Sequence, residues 1–133
     1  MYLLDTNVCI RIINGRSPNA RRRLMQIPAD DIIVCSIVRA ELFYGAAKSQ
    51  TPELTRRKQD LFLEPFKSQS FDDVAADRYA SVRLSLERVG TPIGTHDMEI
   101  AAIALANRLT VVTHNRREFS RVQGLMVEDW ESP

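Results

Sequence analysis

Three short runs without a single charge constrain this chain most: Tyr2-Leu3-Leu4, Ile32-Ile33-Val34-Cys35 and Leu109-Thr110-Val111-Val112-Thr113. None alternates polar with apolar, so each suits a strand buried on both faces, as in a parallel sheet. Weaker extended stretches surround Ser70-Phe71 and Leu125-Met126-Val127. Helical patterns fill the gaps. Thr51-Pro52 reads as an N-cap followed by proline at the first helical position. Val74, Arg78, Val82, Leu86 and Val89 recur at helical spacing until Gly90 and Pro92 stop the pattern. Ile100 to Ala106 is apolar nearly all round, which predicts a deeply buried helix. Strands alternating with helices give an α/β fold, with a central, mainly parallel β-sheet flanked by helices on both faces. At 133 residues the chain reads as a single domain, 1–133. Ligands of such folds bind outside the carboxyl ends of the strands.

Composition removes several classes of function. Hydrophobic residues make up 44% and charged residues 26%, enough for a true core, so disorder is excluded. No apolar run approaches the ~20 residues that cross a bilayer. The first residues carry neither a basic segment nor a long apolar core, so they do not read as a signal peptide. Cys9 and Cys35 both lie in apolar stretches. Two cysteines exclude a disulfide-rich module and a four-cysteine zinc site, and they read as buried thiols in a reducing cytoplasm. The net charge of +1, from 18 basic and 17 acidic residues, excludes a whole-protein basic field but not local segregation of charge.

Several acids stand where a purely structural chain has little use for them. Asp5 follows the first strand, so it is either the N-cap of a helix starting near Thr6 or a ligand at a strand end. Glu41 is the only charge in Ala40-Glu41-Leu42-Phe43-Tyr44-Gly45-Ala46-Ala47, on a helical face with Ile37, Val38 and Gly45. Buried carboxylates are rare unless paired or metal-bound, so Glu41 meets either a cation or a basic side chain. Asp97 opens the most apolar helix, over Ile100, Ala101 and Ala104, where the macrodipole alone also favours an acid. Glu99 points elsewhere and reads as a surface acid. Thr113-His114-Asn115 ends the third strand, with either a turn or a site role.

One fold sends Asp5, Glu41, Asp97 and Asn115 to the same edge of the same sheet. Two carboxylates ~4 Å apart repel by ~4 kcal/mol at an effective dielectric of ~20, so three ionised together call for a cation. The donors are hard oxygens with no thiolate, which selects Mg²⁺ or Mn²⁺ over zinc. The chemistry this implies is metal-assisted phosphodiester hydrolysis.

At these residues the sequence resembles the PIN-domain nucleases, and within them the VapC toxins of bacterial toxin–antitoxin pairs. The segments that carry the resemblance are Leu4-Asp5-Thr6-Asn7, Ser36 to Leu42, Ile93 to Ala102, Val112 to Phe119, and the closing Val122-Gln123-Gly124-Leu125 to Glu128-Asp129-Trp130. They span nearly the whole chain in the family's order. The resemblance implies a PIN-like fold, Mg²⁺-dependent endoribonuclease activity with Mn²⁺ as a possible substitute, and a homodimer neutralised by a VapB-like antitoxin. It assigns Asp5 and Asp97 as principal metal ligands, Glu41 as the third acid, and Thr6 and Thr113 as supporting hydroxyls. Asn115 stands where many members place a fourth acid, and the toxin branch also carries asparagine there. An amide there offers oxygen without charge, which disfavours a second metal ion at that position.

An RNA substrate requires a basic rim around an acidic pocket. Arg21-Arg22-Arg23, Arg56-Arg57-Lys58 and Arg116-Arg117 are the available runs, and Arg116 and Arg117 adjoin the site. The resemblance suggests a structured RNA, such as transfer RNA or a ribosomal RNA loop. The helix holding Leu54, Leu61 and Phe62 offers an apolar side to an antitoxin segment, or to the core or a homodimer interface. His96 and His114 flank the site, yet a metal-free histidine mechanism leaves three carboxylates unexplained. A haloacid-dehalogenase-type phosphatase normally carries a second Asp where this chain has Asn7. No Gly-x-Gly-x-x-Gly follows the first strand to mark a dinucleotide site. The rival of a different class is a degenerate PIN domain that binds a partner without catalysis.

Overall fold

The computed structural model describes all residues, Met1–Pro133. Four strands, β1 (Tyr2–Leu4), β2 (Ile32–Ile33), β3 (Thr110–Val112) and β4 (Val127–Glu128), form one sheet in the order β2-β1-β3-β4. Every pairing is parallel, with Leu3 opposite both Ile33 and Val111, and Val111 opposite Val127. The connecting helices are α1 (Thr6–Ile13), α2 (Pro18–Met25), α3 (Ser36–Ala47), α4 (Pro52–Leu63), α5 (Asp73–Arg88), α6 (Thr95–Asn107) and α7 (Arg116–Phe119). Parallel strands cannot be joined by tight hairpins, so each return passes through helices.

The charge-free runs are the strands because both of their faces are covered. Leu3, Leu4, Ile32, Val111 and Val112 have no exposed surface. They join one core cluster of 28 buried residues that extends into α3, α5 and α6. Helix α6 is buried on most sides, from Ile100 through Ala104, as its uniform apolarity requires. Both cysteines are buried and unpaired, and burial pushes both thiols above their ordinary range. No helix is long and apolar enough to cross a membrane.

Some local expectations shift. Ser70-Phe71 is not a strand. Instead Lys67 bridges Ile33, and the carbonyls of Lys67 and Gln69 accept from the amides of Val34 and Ser36, so residues 67–69 line the outer edge of β2. The stripe on α5 buries Val82 and Leu86 but leaves Val74 and Val89 exposed, because Ala75 takes the inward position of the first turn. Helix α2 carries Arg21, Arg22 and Arg23 and starts with Pro18 at its first position, a placement proline's fixed φ favours.

Candidate active site

The sheet's strand order creates a switch point. From β1 the chain moves to β2 on one side, then returns to β3 and β4 on the other. The crevice between the carboxyl ends of β1 and β3 is where an open α/β sheet offers a ligand site. Asp5 and Thr113 are the first residues beyond those two ends. The Asp5 amide donates to the Val112 carbonyl at 3.1 Å, which fixes Asp5 against β3.

Asp5 caps a helix and stands at a strand end. It is the N-cap of α1, with Oδ1 accepting from the Val8 amide at 2.8 Å. It is also a carboxylate with only 5% of its surface exposed, at the switch point. Burial raises its pKa to about 6, opposed by hydrogen bonds from the Thr113 hydroxyl and the Val8 amide, and helped by the charges of Glu131 and Glu41. Thr113 is itself completely buried, and its Oγ1 accepts from the Asn115 amide at 2.9 Å. The hydroxyl thus has its proton free for Asp5.

Asp97 enters from the first turn of α6, whose N-cap is Gly94. Its pKa is also raised to about 6, first by burial, then by the charges of Asp5, Glu118 and Glu41. Glu41, half-buried in the second turn of α3, accepts from the Thr6 hydroxyl at 2.7 Å through Oε1. That contact ties α3 to the start of α1. Asp5, Thr6, Glu41, Asp97 and Thr113 therefore stand together at one sheet edge.

Glu118 is the residue that sequence reasoning passed over. It is half-buried in α7, and after Asp5 its charge acts most strongly on Asp97. The available signal was spacing, since one short helical turn after β3 brings residue 118 back over the strand end. Asn115 begins that turn as its N-cap, is exposed, and makes no side-chain hydrogen bond to the carboxylates. Arg116 and Arg117 are exposed on the same turn. The histidines are drawn to separate acids, His96 to Glu99 at 3.3 Å and His114 to Asp129 at 3.1 Å, so they do not form a catalytic pair.

The donor set suits a hard divalent cation. Asp5 and Asp97 present oxygen only, and each pKa is raised first by burial and then by the acidic charges around it. No three His, Cys, Asp or Glu side chains stand close enough to hold an ion among themselves. Mg²⁺ needs only one or two carboxylates, with waters and a phosphate oxygen completing its shell, so a two-carboxylate site is compatible with it.

Known proteins resemble this chain in sequence and fold. The PIN domain family matches residues 2–125. Ribonuclease VapC2 of Rickettsia felis is 37% identical over 133 residues, covering 98% of each chain. The tRNA(fMet)-specific endonuclease VapC of Salmonella typhimurium is 37% identical over 129 residues, covering 97% of each. The chain belongs to the VapC ribonucleases of the PIN-domain family. Its fold superimposes on the crystal structure of VapBC2 from Rickettsia felis bound to a promoter DNA fragment, with a TM-score of 0.92, 36% identity, and 97% and 98% of the two chains covered. DNA-bound VapBC from Salmonella typhimurium gives a TM-score of 0.91 at 37% identity over 97% of both chains. The expected all-helix-flanked parallel sheet is the fold these VapC proteins share.

Proposed function

We propose that this chain is a Mg²⁺-dependent endoribonuclease, the toxin of a toxin–antitoxin pair acting in the cytoplasm. The observation that carries the proposal is the pair Asp5 and Asp97, two carboxyls at the switch point whose pKa values both rise to about 6. These two side chains would hold the ion, with Mn²⁺ as a substitute. When bound, the ion polarises a phosphoryl oxygen and lowers the pKa of a coordinated water. Thr113 and the Val8 amide hold the Asp5 carboxylate in place. Thr6 holds one oxygen of Glu41, leaving the other to take a proton from the attacking water. Glu118 adds charge on the side of Asp97 where Asn115 offers none.

The relatives support the rest of the proposal. One acts on tRNA(fMet), and others are solved as VapBC complexes. A structured RNA such as transfer RNA or a ribosomal RNA loop is the substrate proposed here, and a VapB-like antitoxin is the partner, engaging a homodimer of this chain. An apolar groove of about 410 Å³, walled by Ile12, Leu24, Met25, Leu61, Phe62 and Phe66, is the antitoxin's landing place. Leu61 and Phe62 belong to it, whereas Leu54 does not.

The test is cleavage of total RNA by the purified, antitoxin-free chain across a Mg²⁺ titration, with a chelator control. Cleavage that rises with Mg²⁺ and vanishes in chelator is expected. An inert chain that still captures a small partner would favour the degenerate binding module instead.

A further inference from the structure

Beside the acidic site, one strand further along the same sheet edge, lies a groove of about 470 Å³. Its floor is the end of β4, Glu128 and Asp129, and its walls are the last turn of α2 and the start of α7. Arg22 and Arg23 enter from α2 and Arg116 from α7. Adjacent strands are ~4.8 Å apart, so the groove begins about one such step beyond the end of β3. Arg116 is three residues after Thr113 and lies on the boundary between site and groove.

Two of the three guanidinium groups in this groove, Arg22 and Arg116, are available to a ligand. Arg22 bonds only Asn19 within its own helix, at 3.3 Å, and neither Arg22 nor Arg116 has a carboxylate partner. The acids of the floor are already engaged. Glu128 Oε1 accepts from the Trp130 indole at 3.0 Å and faces Arg23 at 3.8 Å. Asp129 accepts from Ser132, the Glu131 amide and His114, and these hydrogen bonds hold its carboxyl below the usual range.

The lining also gives bases no surface to stack on. Only Val127 and Trp130 are apolar, and Trp130 is 5% exposed, its ring packed edge-on against Tyr2. A buried indole offers no face for a nucleobase to stack on. Guanidinium groups match the geometry of phosphate, and contacts to phosphate carry no sequence information. We propose that this groove is the track for the RNA backbone on one side of the cleaved bond, held through its phosphates by Arg22 and Arg116 and indifferent to base identity.

This proposal rests on the ribonuclease reading above, and its test keeps the two apart. In an Asp5→Asn background, which leaves RNA intact, fluorescein-labelled 20-nucleotide single-stranded RNAs of two unrelated sequences are titrated by anisotropy at 50 to 200 mM KCl. Each lost phosphate contact should make the slope of log K against log salt shallower by about 0.7. Arg22→Ala should remove one such increment and Arg22→Ala/Arg116→Ala two, equally for both RNAs. Arg22→Lys should restore the slope, and Arg88→Ala, on α5, should leave it unchanged. An unchanged slope for Arg22→Ala in a chain whose wild type cleaves RNA overturns the groove alone. A loss confined to one RNA sequence also overturns it, as does weaker capture of a small protein partner with RNA binding intact. No RNA binding, together with no Mg²⁺-dependent cleavage by wild type, overturns the ribonuclease reading and the groove with it.

Discussion

Two neighbouring stretches of one sheet edge carry opposite charge in opposite surroundings. At the ends of β1 and β3, Asp5 is buried and Asp97 half-buried, and both ionise with difficulty. At the end of β4, Arg22 and Arg116 project into solvent, and no neighbour competes for them. Burial makes a charge expensive and therefore specific, while exposure makes it cheap and salt-sensitive. Substitutions in the first stretch should change chemistry and stability together. Those in the second should change binding alone.

The sharpest test of this contrast is truncation in the acidic stretch. Removing an outer hydrogen-bond partner of a metal ligand costs about 10–100-fold, so removing a ligand itself should cost more. Asp5→Ala and Asp97→Ala are each expected to lower Mg²⁺-dependent RNA cleavage more than about 100-fold. The double variant should be scarcely worse than either, because the two act as one unit. Single-turnover cleavage of one labelled RNA measures all three. Near-normal activity of Asp97→Ala would remove it from the site.

A smaller effect is expected on the stability of the metal-free chain. Asp5 and Asp97 ionise near pH 6 in the fold, against 3.8 for the free group. The folded chain therefore holds these protons more tightly than the unfolded chain. The stability they contribute is complete below about pH 3.8 and is lost as the pH rises to about 6. For Asp5 the loss is on the order of 2–3 kcal/mol, and for the more exposed Asp97 solvent screening makes it less. Asp129, lowered by its partners, acts in the opposite sense and only at more acidic pH. Urea melts in chelator from pH 4 to 8 should show the decline, and Asp5→Asn should flatten much of it and melt no lower than wild type at pH 7. Added Mg²⁺ should raise the wild-type melting temperature and raise that of Asp5→Asn clearly less. A destabilised Asp5→Asn with a metal-insensitive wild type would reduce Asp5 to its capping role.

The smallest effect marks the other side of the comparison. Arg22→Ala should change the unfolding free energy by less than about 0.5 kcal/mol, as expected of an exposed side chain without a charged partner. A larger loss in the same urea melts would make Arg22 a structural residue and erase the distinction between the two stretches.

What the sequence disclosed follows this division. The three charge-free runs located β1, β2 and β3, because full burial leaves no polar position to obscure them. Asp5 was conspicuous at a strand end, Glu41 as the lone charge in an apolar helix, and Asp97 at the head of the most apolar helix. Glu118 was not, since it follows two arginines on a four-residue helix and reads as ordinary surface. The edges of the sheet were harder for a related reason. Strand β4 is two half-buried residues long, and the segment beside β2 pairs through backbone groups that no side-chain pattern reports. The groove arginines were visible as a run, but only α2's position beside β4 separates Arg22 and Arg23 from Arg56, which stacks on Phe43 and pairs with Asp60.

The central place of β1 also sets a schedule for the protein's birth. Leu3 leaves the ribosome more than a hundred residues ahead of its partner Val111. At ~5–20 residues per second, that interval lasts ~5–20 s. Until it ends, Asp5 has no β3 to lean on and no Thr113 beside it. A chain still being made therefore lacks the crevice in which the carboxylates meet. Sheets closed by such distant pairings also fold slowly after release. The site is therefore assembled only once translation has passed Thr113.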